Sequence, residues 1–514
     1  MLRFVRNSAY DVFKSTREKM SDTTRLCLHS AKNAFAAGQL VLREHSDFEI
    51  TGVRFVNFSA PYVLCEDDVR YYYQDFIRYN DGEYPDKLSD TDTIKVGAEC
   101  SQSIWIIADV KAEALAGLCT FDAVVTTSVG EFTFPCSVRV YNVTVPDADK
   151  AEFYLEYFLD PFTHLAGERW GEDRMKFLYS YAESLKMIRN NSIDIIVIPL
   201  LLDGGSKRVS ETEWALDFTY VEKYVDFMMK NVPTKRFAVR SIIASVNGDV
   251  LPMIDYGGKT VNVKYKTPEA EAWMYAYFNG IYKFFEKKGL LDMLQFRLQD
   301  EPHYTDCWIW ARQICAKAAP GIKCGEPLDE HPSGLGLQGY IDTYIPRINV
   351  YEPGADYYDR MREEGKEVWV YSCCFPEEAW WINKFIDHPH NHSRIMSWAC
   401  YERKIQGFLH WGYNYWSDTS LYGTSPSARF KGDGFIVYPD KENLRVLPST
   451  RLIATAEGII EFELFKIVER KDPAEAAAIC ASVTRTFTDY DDDPEKIESA
   501  HIRLLQAAEE AAAR

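Results

Sequence analysis

The segment LDMLQFRLQDEP, residues 291–302, carries the pattern that decides the fold of this chain. Side chains alternate between the two faces of a β-strand, so this segment has one apolar and one polar face. The apolar face suits packing against helices, and the polar face suits the axis of a barrel. Pro302 has no N–H to continue the strand ladder, so the strand is expected to end there. The apolar face consists of Leu294, Phe296 and Leu298, and the polar face of Gln295, Arg297 and Gln299.

Seven other strand-like runs lie between about residues 151 and 470, and helix-like segments separate most of them. The helix over 267–289 has the clearest signals: Thr267 caps it, Pro268 opens it and Gly289 ends it. Eight strand–helix units predict a (β/α)8, TIM-like barrel over 148–470. The eight runs are FYLEYFL (153–159), IDIIVIPLL (193–201), RFAVRSIIA (236–244), LDMLQFRLQ (291–299), GIKCGEP (321–327), YIDTYIP (340–346), EVWVYSC (367–373) and QGFLHWGY (406–413).

The barrel is expected to be one part of a multidomain chain. Residues 1–25 are polar and are expected to form a short helical lead. Residues 26–147 hold successive strand-like runs without helices between them, which predicts a β-sandwich, either structural or sugar-binding. Residues 471–514 are rich in Ala and Glu and are expected to form a C-terminal appendage of two surface helices.

The overall composition restricts the classes of partner. The net charge of -19 disfavours nucleic acid and anionic membranes, and no apolar run reaches the roughly 20 residues of a membrane span. The 12 cysteines show no CxxC or zinc spacing, which favours reduced thiols in a cytoplasmic protein. The sequence shows no signal peptide, P-loop, dinucleotide fingerprint or metal motif, so we expect no cofactor and no metal. The oligomeric state stays open.

Asp300 and Glu301 follow the fourth barrel strand directly, where such folds keep their catalytic groups. Acid pairs elsewhere in this chain lack that position. By strand parity Glu301 continues the inward row, whereas Asp300 points outward unless the strand breaks. Pro302 supplies the break and is expected to restrict Glu301 to extended geometry.

Adjacent carboxylates do not suit the usual two-carboxylate mechanisms, which need separations of about 5–9.5 Å across the sugar. They suit hydrolysis in which the substrate's own 2-acetamido oxygen is the nucleophile. Glu301 would then be the general acid and base, and Asp300 would orient the acetamido N–H. The main alternative is a conventional retaining glycosidase with Glu377 or Glu378 as nucleophile. Weaker alternatives follow the fifth strand: Glu326, Asp329 and Glu330.

Aromatic and polar residues gather at the ends of strands six to eight. A tryptophan floor with tyrosine, histidine and asparagine donors suits a pyranose pocket. His164 and Asp203, after strands one and two, are expected to be structural. The candidate substrate-binding residues are Tyr344, Tyr371, His410, Trp411, Tyr413, Asn414 and Trp416.

An ordered series of stretches resembles glycoside hydrolase family 123 and the broader group that carries the domain of unknown function 4091. The stretches are QDEP (299–302), VWVYSCCFP (368–376), IDHPHNHSRIMSWACYERKIQGFLHWGYNYW (386–416) and LPSTRLIATAEGIIEFELF (447–465). The resemblance covers roughly 26–470. It implies an exo-acting β-N-acetylgalactosaminidase that works by substrate assistance, with Asp300 and Glu301 as the matching acid pair.

This chain departs from the family in two ways. Characterised members are commonly exported, and no signal peptide is seen here. The late helix of the broader group often carries Arg and Asp where this chain has Ala456 and Glu461. The departures indicate a divergent branch. We therefore carry three hypotheses: an N-acetylhexosaminidase, a glycosidase for a non-acetamido sugar, and a non-catalytic glycan-binding protein. A carbohydrate is the expected partner in each.

Overall fold

Ten strands form the N-terminal part of the chain in this computed structural model, which describes residues 1–162, 168–243, 250–303, 305–416 and 430–513. The strands are β1 (Leu2–Asn7), β2 (Leu26–Lys32), β3 (Ala34–Arg43), β4 (Phe48–Val56), β5 (Val69–Tyr79), β6 (Gly82–Ser89), β7 (Ile94–Val96), β8 (Ser101–Val110), β9 (Gly117–Thr127) and β10 (Gly130–Thr144). They form two sheets, ordered β1-β3-β8-β5-β6 and β2-β10-β9-β4-β7. Apolar side chains from both sheets share one core, so the sheets face each other in two layers.

The segment expected to be a helical lead is a strand, so that prediction is wrong. Residues Leu2–Asn7 pair antiparallel with β3 and form the edge of the first sheet. Phe4 is buried there, while Leu2 and Arg3 are exposed. The free edge of β3 supplies backbone partners, and these outweigh the weak local preference of a short polar segment.

Nine parallel strands form a second structural unit, a nearly closed barrel. Its strands run in the order β21-β20-β19-β18-β15-β12-β11-β23-β22. The two outermost strands are separated in sequence only by Trp369, whose N–H donates to the Tyr344 carbonyl (2.8 Å). The two ends of the sheet therefore meet. To within one residue, all nine strands fall in the eight predicted runs: β11 (Tyr154–Tyr157), β12 (Ser192–Ile195), β15 (Arg236–Val239), β18 (Leu294–Phe296), β19 (Lys323–Leu328), β20 (Thr343–Pro346), β21 (Glu367–Val368), β22 (Val370–Ser372) and β23 (Gly407–His410).

Helices and short hairpins fill the connections. The hairpins are β13 (Lys207–Arg208) with β14 (Trp214–Ala215), β16 (Val250–Ile254) with β17 (Thr260–Lys264), and β24 (Tyr438–Asp440) with β25 (Arg445–Leu447). The helices are α1 (Glu172–Met187), α2 (Val197–Asp203), α3 (Thr219–Asn231), α4 (Pro268–Lys288), α5 (Thr305–Ala318), α6 (Pro332–Leu335), α7 (Ile348–Tyr351), α8 (Ala355–Glu363), α9 (His392–Glu402), α10 (Thr450–Glu469), α11 (Pro473–Ala481) and α12 (Pro494–Ala512).

The structure confirms one predicted helix and shortens one predicted strand. Helix α4 is confirmed with its caps: the Thr267 hydroxyl accepts from the Ala270 N–H (3.2 Å), and Gly289 has a φ of 70°. The second strand was predicted over 193–201, but it ends at Ile195 and α2 takes the rest. A short apolar run fits a buried helix as well as a buried strand. Pro199 lies in the first turn of α2, where its lack of an N–H costs nothing.

Helices α10 and α12 connect the two units. In α12, Leu504 and Leu505 are fully buried, and the Glu509 carboxylate accepts from the Asn142 N–H of β10 (2.5 Å). On α10, the Arg451 guanidinium forms a buried ion pair with Asp86 of β6 (2.9 Å). These two helices therefore bind the N-terminal sheets to the barrel. None of the helices in the described ranges combines the length and the apolarity that a membrane crossing needs.

Candidate active site

The strand that carries the acid pair is held in place almost to its last residue. β18 pairs with β15 on one side and β19 on the other. Beyond it, the Arg297 N–H donates to the Val239 carbonyl (3.0 Å), and the Leu298 N–H donates to the Glu326 carboxyl group (2.6 Å). These bonds fix the backbone immediately before Asp300.

The side chains of this strand alternate as predicted. Gln295 donates to a threonine hydroxyl of β20 across the barrel interior (2.7 Å). Arg297 forms a buried ion pair with Glu156 of β11, with 2.5 Å between nitrogen and oxygen. Phe296 points the other way and meets Phe278 of α4 edge-on, with 5.0 Å between ring centroids. A polar barrel interior therefore leads up to the acid pair.

The backbone turns at Glu301, which has a φ of 46°. We expected Pro302 to hold Glu301 in extended geometry, and this prediction is wrong. A non-glycine residue in the left-handed region costs about 1–3 kcal/mol and persists only where its surroundings impose it. The hydrogen bonds that hold the strand up to Leu298 contribute to that constraint. The turn ends the alternation that would send the Asp300 side chain outward.

Asp300 interacts with the charges of the barrel interior. Burial, and then the charge of Glu301, raise the pKa of Asp300 from 3.8 to about 6. The Arg297 and Arg240 guanidinium groups act in the opposite direction, and Asp194 adds to the rise. Asp300 therefore lies close to these inward groups. A carboxyl group with a pKa near 6 changes its charge close to neutral pH, as groups in catalytic sites often do.

Tyr371 of β22 binds the second carboxylate of the pair. Its hydroxyl donates to Glu301 Oε1 at 2.5 Å. Burial, followed by the charge of Glu301, raises the pKa of Tyr371 well above its ordinary value of 10. The hydroxyl therefore keeps its proton and remains a donor at any physiological pH. One of the predicted substrate-binding residues thus lies directly on the acid pair.

An aromatic wall lies at the end of β23. The rings of Trp411 and Tyr415 are 5.2 Å apart and both side chains are partly exposed. The Trp411 indole N–H donates to Asp433 (2.9 Å), and Arg240 donates to the Tyr415 hydroxyl (2.6 Å). Both rings pack against the apolar cluster that contains Tyr371. Rings fixed at their polar ends suit a wall on which a sugar can lie.

A profile of the family described as "Glycoside hydrolase 123, catalytic domain" matches residues 164–468, more than half of the chain. The chain belongs to glycoside hydrolase family 123. A solved family 123 glycoside hydrolase from Clostridium perfringens, reported in a study of glycolipid glycan hydrolysis, is similar over 99% of both chains. The TM-score is 0.79 and the sequence identity is 15%, so this likeness shows the fold alone.

Other comparisons add nothing to the family 123 assignment. An FMN-binding β-glucuronidase from Facaelibacterium prausnitzii L2-6 is 11% identical at a TM-score of 0.35, covering 85% of this chain and 60% of its own. A GH10 xylanase with a bacterial Ig-like domain, from termite gut, is 9% identical at a TM-score of 0.37, covering 86% and 100%. A comparison with curated proteins finds no match.

Two predicted substrate contacts of this family 123 chain lie in the helical layer. Tyr344 is fully buried on the outward side of β20, where its ring packs against Tyr357 and Tyr358 of α8 (6.0 and 6.3 Å). Tyr413 is also fully buried, and its hydroxyl shares a hydrogen bond with Ser184 of α1 (2.5 Å). Both rings are directed into the helical layer in this structure, and their contact with a substrate stays a prediction.

Three further candidates frame the mouth without being open to it. The Trp416 indole donates to a backbone carbonyl (2.8 Å), and the Asn414 amide bonds the N–H and the carbonyl of Asp160 (2.9 and 2.6 Å). His410 Nδ1 accepts from the Gly412 N–H (3.0 Å). Each of these three side chains is at most 4% exposed. In this structure Trp416, Asn414 and His410 hold the loop in position, and their contact with a substrate stays a prediction.

A close approach of two backbone segments at Gly412 accounts for part of this arrangement. A Cβ at Gly412 would lie 2.3 Å from the Asp433 carbonyl oxygen, so no side chain fits there. The regular alternation of β23 stops at this point. Tyr415 rather than Tyr413 therefore joins Trp411 on the aromatic wall. The sequence did not reveal this because Asp433 lies far along the chain.

Glu326, one of the rival carboxylates, is structural. It is fully buried on the side of β19 that faces α5, where it accepts from the Trp308 indole N–H (2.9 Å) as well as from the Leu298 backbone. Burial raises the pKa of Glu326 to about 8. A neutral carboxyl group with these partners anchors the end of the strand before Asp300 and is a poor nucleophile.

The other rival carboxylates lie on loops at the mouth of the barrel. Asp329 is 3.2 Å from His303, and Glu330 is 3.9 Å from the same ring. Glu378 is exposed and Glu377 is partly buried, both in the loop after β22. Glu377 and Glu378 therefore stay the alternative source of a nucleophile.

A group formed by Arg240, Asp194 and Tyr415 was missed by reasoning from the sequence. The Asp194 carboxylate is fully buried and forms an ion pair with Arg240, which also reaches Tyr415. The signal was present in two strand-like runs, RFAVRSIIA and IDIIVIPLL, each of which carries charge among apolar residues. An unpaired buried charge costs several kcal/mol, so a charged residue inside such a run indicates a partner on a neighbouring strand.

The family departures at Ala456 and Glu461 fall on a structural helix. Ala456 is fully buried in α10. Glu461 binds the Arg394 guanidinium (2.9 Å), the Trp398 indole N–H (2.7 Å) and the His501 ring (2.7 Å). Burial opposes the charge of Glu461, but Arg394 and the hydrogen bonds outweigh it and lower the pKa to about 2. These positions hold α9, α10 and α12 together.

Two remaining predictions concern the loops after the first strands. His164 lies outside the described residues. The Asp203 carboxylate accepts from Arg169 (2.9 Å) and from the Trp170 indole (3.0 Å), in a structural role as expected. Across the described ranges, no group of three or more His, Cys, Asp or Glu side chains is arranged to hold a metal ion.

Proposed function

We propose that this family 123 protein is an exo-acting, retaining β-N-acetylhexosaminidase that prefers a terminal N-acetylgalactosamine. The observation that carries the proposal is the adjacency of Asp300 and Glu301 with different surroundings. Asp300 interacts with the buried charges of the barrel, whereas Glu301 binds the Tyr371 hydroxyl. Chain neighbours do not flank a glycosidic bond at the separations of about 5–9.5 Å that two-carboxylate mechanisms use. The 2-acetamido group of the substrate then supplies the nucleophile.

The reaction proceeds in two displacements at the anomeric carbon. The acetamido carbonyl oxygen attacks first, while Glu301 donates a proton to the leaving oxygen. Asp300, ionised above its pKa of about 6, accepts the acetamido N–H and stabilises the positive charge of the cyclised group. Glu301 then takes a proton from the water that reopens the ring. Two inversions leave the anomeric configuration unchanged.

The surroundings of the pair support a carbohydrate substrate. The Tyr371 hydroxyl restricts the orientation of Glu301. Trp411 and Tyr415 offer partly exposed rings for the apolar face of a pyranose. The preference for N-acetylgalactosamine rests on the family resemblance. The similar Clostridium perfringens protein was studied in glycolipid glycan hydrolysis, which makes glycans of glycolipids the first natural substrates to test.

The same proposal includes the finer form of the fold. We infer that the barrel is a (β/α)8 barrel of the TIM type, in which β21 and β22 are two halves of one strand. Its support is that β21 pairs with β20, β22 pairs with β23, and only Trp369 separates the halves. The acid pair then lies at the carboxyl end of the fourth strand, the usual place for catalytic groups in such barrels.

The position of Glu377 after β22 favours a second candidate, a conventional glycosidase for a non-acetamido sugar. Glu377 is partly buried in the loop that follows β22. Tyr371 lies on that strand and binds Glu301. In that reaction Glu377 or Glu378 would attack the anomeric carbon, and Glu301 would serve as acid and base.

A panel of aryl β-glycosides, matched with and without the 2-acetamido group, separates the two candidates. We expect turnover only of the acetamido members. Glu301→Gln and Asp300→Asn are each expected to lower kcat by about 10²–10⁴-fold, the usual contribution of a general acid or base.

The matched control for the panel is Glu377→Gln, which keeps wild-type turnover if the nucleophile comes from the substrate. A thiazoline mimic of the cyclised intermediate is expected to inhibit. Turnover of non-acetamido glycosides that is lost in Glu377→Gln would establish the second candidate. Glycan binding in calorimetry without any turnover would indicate that the protein binds glycans but does not hydrolyse them.

A further inference from the structure

Two adjacent thiols lie at the end of β22, at the mouth of the barrel. The sulfur atoms of Cys373 and Cys374 are 4.0 Å apart. The turn that carries them is fixed: the Asn383 amide donates to the Cys373 carbonyl (3.0 Å) and to the Pro376 carbonyl (2.9 Å). The Phe375 N–H also points at the Cys373 sulfur (3.4 Å). The two sulfurs therefore keep a defined separation on a rigid support.

This pair lies beside the acid pair. Cys373 packs against the apolar cluster that includes Tyr371, Trp411 and Tyr415. Cys374 lies close enough to Glu301 for the carboxylate charge to act on the pKa of the Cys374 thiol. Both cysteines are partly exposed. A molecule attached to them would occupy the space next to the catalytic carboxylates.

A second close pair of thiols in the same chain is closed to solvent. Cys315 of α5 and Cys324 of β19 contact each other through their thiols, but both are fully buried. Cys27, by contrast, is exposed without being part of either pair. The pair at 373–374 combines proximity with partial exposure, the two features that a ligand bound by two sulfurs requires.

We propose that Cys373 and Cys374 form a binding site for a trivalent arsenical or a similar thiophilic compound that takes two sulfurs, and that occupancy of this site closes the sugar pocket. Thiolates are the protein ligands that soft elements prefer. One atom with bonds of about 2.3 Å, the length of a zinc–thiolate bond, spans two sulfurs 4.0 Å apart. Neighbouring cysteines suit an ordinary disulfide poorly, so the thiols stay available.

The binding step balances without an oxidant. With phenylarsine oxide, the arsenic atom forms two As–S bonds and its oxygen leaves as water with the two thiol protons. Arsenic stays trivalent and neither sulfur is oxidised. The contact with Cys373 lowers the pKa of the Cys374 thiol, so Cys374 is the sulfur that attacks first. Cys373 then closes the chelate from 4.0 Å away.

Intact-protein mass spectrometry of the native chain with one equivalent of phenylarsine oxide tests the binding. We expect one adduct per chain, removed by excess dithiothreitol but not by a monothiol at the same thiol concentration. Cys373→Ser and Cys374→Ser, and the matching alanine variants, are each expected to lose it. The controls Cys27→Ser and Cys315→Ser are expected to keep it.

The proposal is overturned if the native chain takes no adduct, or if the adduct persists in the 373 and 374 variants. The closing of the pocket is tested separately with the aryl acetamido glycoside, and this part rests on the proposed function. We expect hydrolysis to fall in proportion to the adduct. A full adduct with unchanged hydrolysis would refute the blocking of the pocket. A chain that hydrolyses none of the glycosides would refute the proposed function, while the mass measurement would still decide the thiol site.

Discussion

Replacement of Asp300 by asparagine is expected to stabilise the protein at neutral pH while it removes activity. The folded protein raises the pKa of Asp300 from 3.8 to about 6, chiefly through burial and the neighbouring Glu301 charge. The folded state thus binds the proton of this carboxyl group more tightly than the unfolded state does. Ionised Asp300 therefore destabilises the fold, and the isosteric amide avoids this penalty.

The size and the pH window of the effect follow from the two pKa values. A difference of about 2.2 pH units, at about 1.36 kcal/mol per unit, corresponds to about 3 kcal/mol. The penalty is absent well below pH 3.8, grows between pH 3.8 and about 6, and is complete above that. The stability gained by Asp300→Asn is therefore expected to rise from about 1 kcal/mol at pH 4.5 to about 3 kcal/mol at pH 7.5.

Urea denaturation of the wild type and of Asp300→Asn, followed by tryptophan fluorescence at several pH values, measures this gain. The exposed Asp67→Asn serves as the matched control and is expected to change stability by only a few tenths of a kcal/mol. A pH-independent difference, or a variant less stable than the wild type at pH 7.5, would refute the reasoning. Either result would mean that the ionised Asp300 carboxylate does not destabilise the folded protein.

Three further predictions follow from single contacts. Tyr371→Phe removes the 2.5 Å hydrogen bond to Glu301, worth about 1.5–3 kcal/mol, so kcat should fall roughly 10- to 100-fold with an unchanged circular dichroism spectrum; wild-type kcat would contradict this. Trp411→Ala should raise KM about five- to tenfold, because it removes an aromatic contact with the sugar of roughly 1–1.5 kcal/mol. Trp416→Phe, at a buried position, should leave KM unchanged. Equal effects of the two substitutions on KM would argue against the aromatic wall. Glu461→Gln removes the charged partner nearest to the buried Arg394, which keeps the longer ion pair with Glu457 (3.4 Å), and should lower the free energy of unfolding in urea by about 1.5–3 kcal/mol; a change below 1 kcal/mol would show that the pair is dispensable.

The sequence by itself determined the features that depend on local pattern. Alternation over 294–299 predicted which side chains enter the barrel, and the capping residues predicted α4, because both depend on neighbours a few residues away. The position of Asp300 and Glu301 after the fourth strand was likewise predicted from the sequence.

Only the tertiary structure decided how that pair is used. The turn at Glu301, its contact with Tyr371 and the interaction of Asp300 with Arg240 all depend on strands that the barrel brings together from distant parts of the chain. The close approach at Gly412 likewise decides which aromatic rings form the wall. Local alternation predicts which face of a strand each side chain occupies. A break in that alternation is imposed by partners remote in sequence, and these partners come into contact only when the barrel has closed.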